Sequence, residues 1–305
     1  MGETTLIVGT GAMACLFAAR IAAAGNEVTL LGSWVEGLKN LNSLGVRVVD
    51  EDGTERAFPV QAIADPLECA DVRLALVLVK SWQTQHAAQQ LGKCLSPDGL
   101  ALTLQNGLGN YEMLAAALGA SRVALGVTTA GATLLEPGKV RSGGHGIVSL
   151  GAHQHIEPAV KLLKGAGFEV EIVARALDLL WSKLIINAAI NPLTALLRVP
   201  NGELLKRPSA CALMATIATE AAAVADARGQ MLTYSDPTVA SATVAQRTAA
   251  NYSSMLQDVL RGAPTEIDAI SGAIVKAGAI DGVPTPTNRT LWLLIKAQCE
   301  GGDVL

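Results

Sequence analysis

The chain has 305 residues, of which 50% are hydrophobic and 3% aromatic, and its 23 basic and 27 acidic residues give a formal net charge of −4 at pH 7. This length suits about two domains of roughly 150 residues each, and the composition lacks the basic runs and aromatic platforms typical of nucleic-acid binding. The longest apolar runs, such as residues 184–190, are much shorter than the ~20 residues of a membrane span.

The N-terminus, the histidines and the cysteines bear on cellular location, metal binding and disulfide formation. The opening MGETTLIVGT has no basic n-region and leads directly into a strand pattern, so we expect no secretory signal and a cytoplasmic location. His153 and His155 are two candidate metal ligands, but no third ligand is close in sequence, and a solvated loop is the preferred interpretation. The odd number and spacing of the cysteines argue against disulfides or a zinc site, and we expect ordinary buried residues at Cys15, Cys69, Cys94, Cys211 and Cys299.

A strand, a glycine turn, a helix and a second strand open the chain. Residues 4–8 are a β-branched apolar run, residues 15–24 have a helical pattern, and residues 27–31 resemble a strand. In the GxGxxA turn between them, the glycines allow a tight bend and close approach of a pyrophosphate to the helix N-terminus. A chance glycine turn is the alternative, but this position in an α/β pattern favours a dinucleotide site formed by Gly9, Thr10, Gly11, Ala12 and Met13.

The end of the second strand bears on the choice of cofactor. NAD enzymes usually place an acid here for the ribose hydroxyls, whereas this chain has Ser33, with its nearest acid at Glu36. The missing acid favours NADP(H), and Ser33 could hydrogen-bond a 2′-phosphate. A plain turn is the alternative interpretation.

The rest of the front half continues the α/β pattern. Residues 45–60 suggest a hairpin that turns at residues 51–53, and buried strands at 72–79 and 99–105 end in Lys80 and Asn106. Ligands bind beyond the carboxyl ends of such strands, so Lys80 and Asn106 are candidate cofactor residues, although Lys80 could simply be a solvated strand end. We predict that the Rossmann domain ends at residue 174. Before that point we predict one helix, at 156–165, and further β segments at 122–134, 138–142, 146–150 and 168–173.

The back half, residues 175–305, has helical periods with few strand signals. Helices are predicted at 175–198, 209–228, 265–279 and 287–299, with shorter ones between them. Breaks fall at Pro200-Asn201-Gly202 and at residues 281–286. The sequence therefore predicts an α/β Rossmann-type N-terminal domain followed by an all-α C-terminal domain.

Three polar residues form one stripe on the first of these helices. Lys183, Asn187 and Asn191 are spaced i, i+4 and i+8 on an otherwise apolar helix. A buried lysine usually has a partner, for which Glu266 is the candidate. Taken alone, Ser253 or Ser254 could be a helix N-cap, and the residues from Thr265 to Asp268 could be a capping box in which Glu266 is only a first-turn acid.

Together these motifs resemble the ketopantoate reductase (2-dehydropantoate 2-reductase) family. The matching stretches after the glycine turn come in the family's order and approximate spacing: KSWQ, QNGLGN, WSKLIINAAINPLTAL, PNGEL, NYSSMLQD and TEIDAISG. The resemblance implies NADPH-dependent reduction of 2-dehydropantoate to pantoate, in pantothenate and coenzyme A biosynthesis. It also implies a Rossmann domain that binds NADPH, a helical domain, and a cleft for a small 2-keto acid.

The resemblance assigns roles to particular residues. Lys183 matches the catalytic lysine and Glu266 the glutamate beside it, while Lys80 and Asn106 match residues near the cofactor and its nicotinamide. Ser33 departs from the family, which often has an arginine there for the 2′-phosphate. Positions placed around the substrate hydroxyl and carboxylate groups are matched by Asn187, Asn191, Asn201, Asn251 and Ser254.

The chemistry of hydride addition explains the stripe. The carbonyl oxygen becomes an alkoxide, which the Lys183 ammonium can stabilise and protonate, while neutral amides bind the substrate. Two alternatives stay open: a related dehydrogenase for another 2-keto acid, 2-hydroxy acid or opine, and a non-catalytic NADP(H)-binding sensor, which needs no paired Lys183 and Glu266. The sequence leaves the oligomeric state open, with a homodimer compatible with it.

Overall fold

The strands form two sheets in the part of the chain that the computed structural model describes, residues 5–50, 52–144 and 146–300. The larger sheet has the order β12-β11-β8-β7-β6-β1-β2-β5 and the smaller one β4-β3-β10-β9. The strand bounds are β1 Thr5–Val8, β2 Val28–Leu31, β3 Val46–Val49, β4 Glu55–Phe58, β5 Gln61–Ile63, β6 Val72–Val77, β7 Leu95–Thr103, β8 Val123–Thr128, β9 Ala132–Glu136, β10 Lys139–Ser142, β11 Ile147–Gly151 and β12 Glu169–Val173.

α-Helices alternate with part of the strands, and helices make up the regular structure described after β12. Their bounds are α1 Ala12–Ala23, α2 Val35–Leu44, α3 Thr84–Cys94, α4 Asn110–Leu118, α5 Glu157–Gly165, α6 Ala176–Leu197, α7 Pro208–Ala227, α8 Pro237–Arg247, α9 Ser254–Leu260, α10 Ser271–Asp281 and α11 Pro286–Glu300. Short 3-10 turns lie at Pro66–Glu68, Ser81–Gln83, Ala120–Arg122 and Asn201–Leu204.

Strand β1 marks the point where the order of the large sheet reverses. It pairs in parallel with β2 on one side and with β6 on the other, so that Val8 lies beside both Leu31 and Val77. Its residues from Leu6 to Val8 are at most 1% exposed, as expected of a central parallel strand covered on both faces. A crevice forms at such a switch point, beyond the carboxyl ends of the strands.

The contacts divide the chain into two compact units. One contains residues up to Gln105 together with Asn110–Ala176, and the other contains Asn106–Gly109 together with the residues from Leu177 onward. Both sheets belong to the first unit, whereas the regular elements described in the second are helical. The predicted fold class, an α/β Rossmann-type domain followed by a helical one, is confirmed.

Each unit has its own apolar core. In the first, Phe17 of α1 stacks on Phe168 with ring centroids 4.3 Å apart. In the second, α6 contributes Trp181, Leu184 and Ile185 to the core, and they are at most 2% exposed. Two helices, α6 and α7, are long and apolar enough to cross a membrane by length and composition alone, a test that a buried core helix also passes.

Several predicted elements differ from those observed. The predicted segment 122–134 forms two strands, β8 and β9. The predicted hairpin is confirmed as the antiparallel pair β3 and β4. Thr4 of the predicted first strand and Glu51 of the predicted hairpin turn lie outside the residues that the structure describes. Helices α2, α3 and α4 were not predicted. The helix expected from residue 265 begins instead at Ser271. The expectation that all five cysteines are buried is wrong for Cys299, which is exposed, and holds only in part for Cys69 and Cys211.

Candidate active site

The glycine turn after β1 leaves room for an anion at the N-terminus of α1. Gly9 has φ +128°, and a Cβ there would lie 3.0 Å from the Leu78 carbonyl oxygen, so glycine is required. Gly11 is exposed, and among the described residues no heavy atom lies within 4 Å of a Cβ built on it. No described side chain caps α1, and its first turn has no acid. These features suit a pyrophosphate bound by free backbone N–H groups.

A second uncapped helix begins after β2. A Cβ on Gly32 would lie 2.8 Å from the Thr10 side chain, so the strand end packs closely on the glycine turn. Ser33 follows it and is exposed. Helix α2 then starts at Val35, and within the described residues its N-cap has no side-chain hydrogen bond, although Glu36 places an acid in the first turn.

The KSWQ turn after β6 is held by hydrogen bonds from two sides. The Gln83 side-chain oxygen accepts a hydrogen bond from the Lys80 backbone N–H at 3.3 Å. Buried Gln105, at the end of β7, donates to the Val79 carbonyl at 3.1 Å and to Thr84 Oγ1 at 2.8 Å. Gln105 and Thr84 carry no signal of this role in the sequence, because the role depends on the ends of β6 and β7 being adjacent.

Residues 106–109 of the QNGLGN segment pack with the helical unit rather than with the strand they follow. The Leu108 backbone N–H donates to the Ala269 carbonyl at 3.0 Å. Gly107 has φ +85°, and a Cβ there would lie 2.7 Å from both the Cβ and the carbonyl oxygen of Ala269. Asn106, predicted as a cofactor residue, therefore belongs to the same compact unit as Glu266.

This close approach gives a first prediction. Gly107→Ala should lower the free energy of unfolding by about 2–4 kcal/mol, because it adds a clash with Ala269 to the strain of a positive φ. Gly109→Ala is the matched control, since Gly109 has φ +90° but no described heavy atom within 4 Å of its Cβ position, and it should cost only about 1 kcal/mol. Urea unfolding of both variants measures the difference, and equal losses would contradict the contact.

The stripe on α6 presents one charged and two amide side chains. Lys183 and Asn187 are partly exposed, and Asn191 is 6% exposed. Burial lowers the pKa of Lys183 to about 8, and the negative charge of Glu266 acts in the opposite direction. Glu266 is itself only 5% exposed. The structure thus brings together the two residues predicted to be catalytic, on different segments of the helical unit.

The turn that carries Glu266 is not the start of a helix. The Glu266 carbonyl accepts hydrogen bonds from the backbone N–H groups of Ala269 and Ile270, both at 3.1 Å. The alternative interpretation, a capping box at Thr265 and Asp268, is wrong, because Asp268 Oδ1 instead accepts from Trp292 Nε1 at 2.7 Å. The interpretation of Glu266 as a first-turn acid fails with it, since α10 begins five residues later.

The 3-10 turn after α6 packs against the segment before α9. The Asn201 backbone N–H donates to the Asn251 carbonyl at 3.0 Å, and Asn201 Nδ2 donates to Thr248 Oγ1 at 2.8 Å. Asn201 is 7% exposed, and its Oδ1 has no hydrogen-bond partner among the described residues. A buried acceptor of this kind can accept a hydrogen bond from a ligand hydroxyl.

A pair of hydroxyls ties α6 to α9. Thr194 Oγ1 lies 2.7 Å from Ser253 Oγ and 2.9 Å from the Asn191 carbonyl. Ser253 caps α9 by accepting from the Leu256 N–H at 3.1 Å, so of the two serines considered as N-cap it is Ser253, while Ser254 is the exposed first residue of the helix. Thr194 was not predicted, because its partner Ser253 is 59 residues away in the sequence.

The histidine pair lies outside this arrangement. His153 and His155 are in a turn between β11 and α5, with ring centroids 5.8 Å apart. In the part of the chain that the structure describes, no group of three or more His, Cys, Asp or Glu residues could hold a metal ion.

Comparison with known families places both units in one family. The family model described as "Ketopantoate reductase PanE/ApbA" matches residues 5–155, and the one described as "Ketopantoate reductase PanE/ApbA C terminal" matches residues 157–299. The 2-dehydropantoate 2-reductase of Halobacterium salinarum is 37% identical over 304 residues, covering 97% of this chain and 99% of that protein. The enzyme of the same name from Archaeoglobus fulgidus is 35% identical over 302 residues, covering 97% of each.

The solved structures that resemble this chain include a ketopantoate reductase and also a dehydrogenase of a different name. A PanE/ApbA family ketopantoate reductase from Ralstonia eutropha JMP134 superposes with a TM-score of 0.91 at 32% identity, covering 97% of this chain and 98% of that one. D-mandelate dehydrogenase, in a ternary structure with NADH and anilino(oxo)acetate, has the same TM-score and coverage at 26% identity.

Proposed function

Because this chain belongs to the ketopantoate reductase family, we propose that it catalyses the NADPH-dependent reduction of 2-dehydropantoate to pantoate, a step of pantothenate biosynthesis. The observation that carries the proposal is the half-buried Lys183 beside the buried carboxylate of Glu266. We assign cofactor binding to residues 1–174 and substrate binding to residues 175–305.

Lys183 is the proposed acid of the reaction. NADPH, when bound, supplies the hydride that adds to the ketone carbon. The Lys183 ammonium donates a hydrogen bond to the carbonyl oxygen, stabilises the negative charge that develops there, and delivers the proton that completes the alcohol. Glu266 favours the charged form of Lys183, since its carboxylate raises a pKa that burial lowers. The pair therefore holds a proton where the reaction consumes one.

The remaining polar residues of the helical unit suit a hydroxylated anionic substrate. Asn187 and Asn191 follow Lys183 at successive turns of α6, and neutral amides can bind hydroxyl and carboxylate groups without adding charge. The unpartnered Asn201 Oδ1 is a proposed acceptor for a substrate hydroxyl. Asn251 and Ser254 are proposed to bind the same substrate.

The first unit carries the proposed cofactor residues except Asn106, which belongs to the helical unit. The uncapped N-terminus of α1, with Gly9, Gly11 and the intervening Thr10, suits the pyrophosphate, followed by Ala12 and Met13. Lys80 and Asn106 are proposed to bind near the nicotinamide end. Ser33 and the uncapped N-terminus of α2 are the proposed site of the 2′-phosphate.

The 2′-phosphate assignment is tested by adding an arginine. Ser33→Arg should tighten NADPH binding about tenfold and leave NADH binding unchanged, because a guanidinium adds charged hydrogen bonds to a phosphate. Ser43→Arg is the matched control, since Ser43 is exposed near the far end of the same helix. Fluorescence titration gives both affinities. Equal effects of Ser33→Arg on NADPH and NADH affinity would show that the 2′-phosphate does not bind beside residue 33.

The pKa of Lys183 predicts the pH dependence of reduction. A base is protonated below its pKa, so the ammonium is present below about pH 8 and is lost above it. We expect kcat/KM for reduction to be level below that pH and to fall about tenfold per pH unit above it. Steady-state rates between pH 6 and about 10 test this, with NADPH affinity measured in parallel. A kcat/KM that stays level up to about pH 10 would show that Lys183 is not the acid of the reaction.

A substrate panel tests the proposed reaction. NADPH oxidation should be fastest with 2-dehydropantoate, compared with pyruvate, 2-oxoisovalerate and phenylglyoxylate. A second candidate, NADH-dependent reduction of an aromatic 2-keto acid, is favoured by the similarity to D-mandelate dehydrogenase and by Ser33, which offers no positive charge to a 2′-phosphate. Faster turnover of phenylglyoxylate with NADH would replace the first proposal by the second.

A further inference from the structure

Two cysteine side chains of the first unit contact each other. Cys69 ends the 3-10 turn at Pro66–Glu68, and Cys94 is the last residue of α3. Helix α3 packs on this turn, and the Cys69 and Cys94 side chains interact. Cys69 Sγ lies 3.3 Å from the Pro66 carbonyl oxygen, and Cys94 Sγ lies 3.6 Å from the Gln90 carbonyl oxygen. The two residues are 25 positions apart in sequence and pack in the same apolar cluster.

The pair has one accessible and one protected member. Cys69 is partly exposed, whereas Cys94 is 3% exposed. The other cysteines offer no such arrangement: Cys15 is fully buried and donates to the Thr10 carbonyl, while Cys211 and Cys299 belong to the helical unit. A reagent can therefore reach Cys69 first, with Cys94 positioned to resolve the product.

We propose that Cys69 and Cys94 are a redox-active pair that a low-molecular-weight disulfide converts into an intramolecular disulfide joining the turn before β6 to the end of α3. The Cys69 thiolate attacks one sulfur of the reagent, which leaves a mixed disulfide and releases one small thiolate. The Cys94 thiolate then attacks the Cys69 sulfur, and the second small thiolate leaves. The protein loses two electrons and two protons, which end on the two small thiols.

The position of the pair separates this chemistry from the active site. The pairing of Val72 with Leu95 brings together the amino ends of β6 and β7, where the two cysteines lie. The glycine turn and Lys80 lie at the carboxyl ends of β1 and β6. The disulfide is thus expected to stabilise the first unit by closing a loop of the unfolded chain, without changing NADPH binding.

The environment of the pair sets the conditions of oxidation. Burial raises the pKa of both thiols, that of Cys94 to about 12. Because only the thiolate reacts, closure is slow at neutral pH and quickens about tenfold per pH unit as pH rises. Oxidised glutathione at alkaline pH is the appropriate reagent.

The test is made on the purified full chain. After treatment with oxidised glutathione, acid quenching, alkylation and trypsin digestion, mass spectrometry should find peptides 57–73 and 94–122 cross-linked in most molecules. The cross-link should be absent from Cys69→Ser and Cys94→Ser, present in the matched control Cys299→Ser, and reversed by dithiothreitol. The oxidised wild type should melt several degrees higher than the reduced protein, with no such shift in Cys69→Ser.

One result would overturn the proposed pair, and a second would contradict the expected stabilisation. The first is glutathione retained on Cys69 while Cys94 is alkylated, or Cys69 that does not react at all. The second is a cross-linked protein whose melting temperature is unchanged, which would remove the stabilising role.

Discussion

Lys183→Ala is expected to lower kcat for 2-dehydropantoate by about a thousandfold or more while NADPH still binds. Loss of one preorganised donor to a developing oxyanion typically costs about 10²–10³ in rate, and loss of the proton source adds to this. NADPH affinity should change little, because its proposed residues lie chiefly in the first unit. Stopped-flow or steady-state NADPH oxidation measures the rate, and fluorescence titration measures the binding.

The fold should tolerate this substitution, since alanine is a better helix former than lysine. Lys206→Ala is the matched control, because Lys206 is an exposed lysine whose ammonium lies 2.7 Å from Glu203. Circular dichroism and thermal melting check that both variants are folded. If Lys183→Ala binds NADPH normally and reduces 2-dehydropantoate within about threefold of the wild-type rate, the stripe on α6 is structural and a non-catalytic NADP(H)-binding sensor becomes the better interpretation.

Glu266→Gln is expected to lower kcat/KM by about a hundredfold and to move its pH profile toward acid. The substitution keeps the shape of the side chain but removes the charge that raises the pKa of Lys183. That pKa should therefore fall further below its usual range, so that the ammonium is lost at a lower pH than in the wild type. The profile measured from pH 5 to about 9 distinguishes this effect from a general loss of structure.

Glu203→Gln provides the control for Glu266→Gln. Glu203 is a partly exposed acid paired with Lys206, and its neutralisation should leave both the rate and the pH profile unchanged. Since α10 begins at Ser271, no helix start is weakened by the change at position 266. A Glu266→Gln variant with a wild-type rate and an unshifted profile would remove Glu266 from the reaction.

The nucleotide-binding half of the fold could be predicted because its signals are local. The β-branched run before Gly9 and the alanine-rich segment after it determine β1 and α1 without reference to the rest of the chain. Helix α3 was missed for the opposite reason. Leu91 is the only large apolar side chain among its buried residues, so the helix lacks the long apolar run that marks α1 or α6; the buried residues are Thr84, Ala87, Ala88, Gln90, Leu91 and Cys94.

The candidate catalytic residues could be predicted from the sequence, but the residues that hold them in position could not. The spacing of Lys183 and Asn187 on an apolar helix is a local signal, and Glu266 was the candidate partner because a buried lysine usually has one. The anchor of the Glu266 turn was not predicted, because Asp268 and Trp292 are 24 residues apart. Asp268 could take part either in a capping box or in a tertiary hydrogen bond. The packing of α11, which carries Trp292, determines that the tertiary hydrogen bond forms.

The position of Asn106–Gly109 has a consequence for how the chain matures on the ribosome. Ala269, which accepts the Leu108 hydrogen bond, is synthesised 161 residues after Leu108. At about 5–20 residues per second, the segment therefore waits roughly 10–30 s for its partner. During that interval Leu108, which packs on the core of the helical unit, has no native surface to cover it. A nascent chain stalled before residue 269 should thus be cleaved by protease at residues 106–109, and completion of the helical unit should abolish that cleavage.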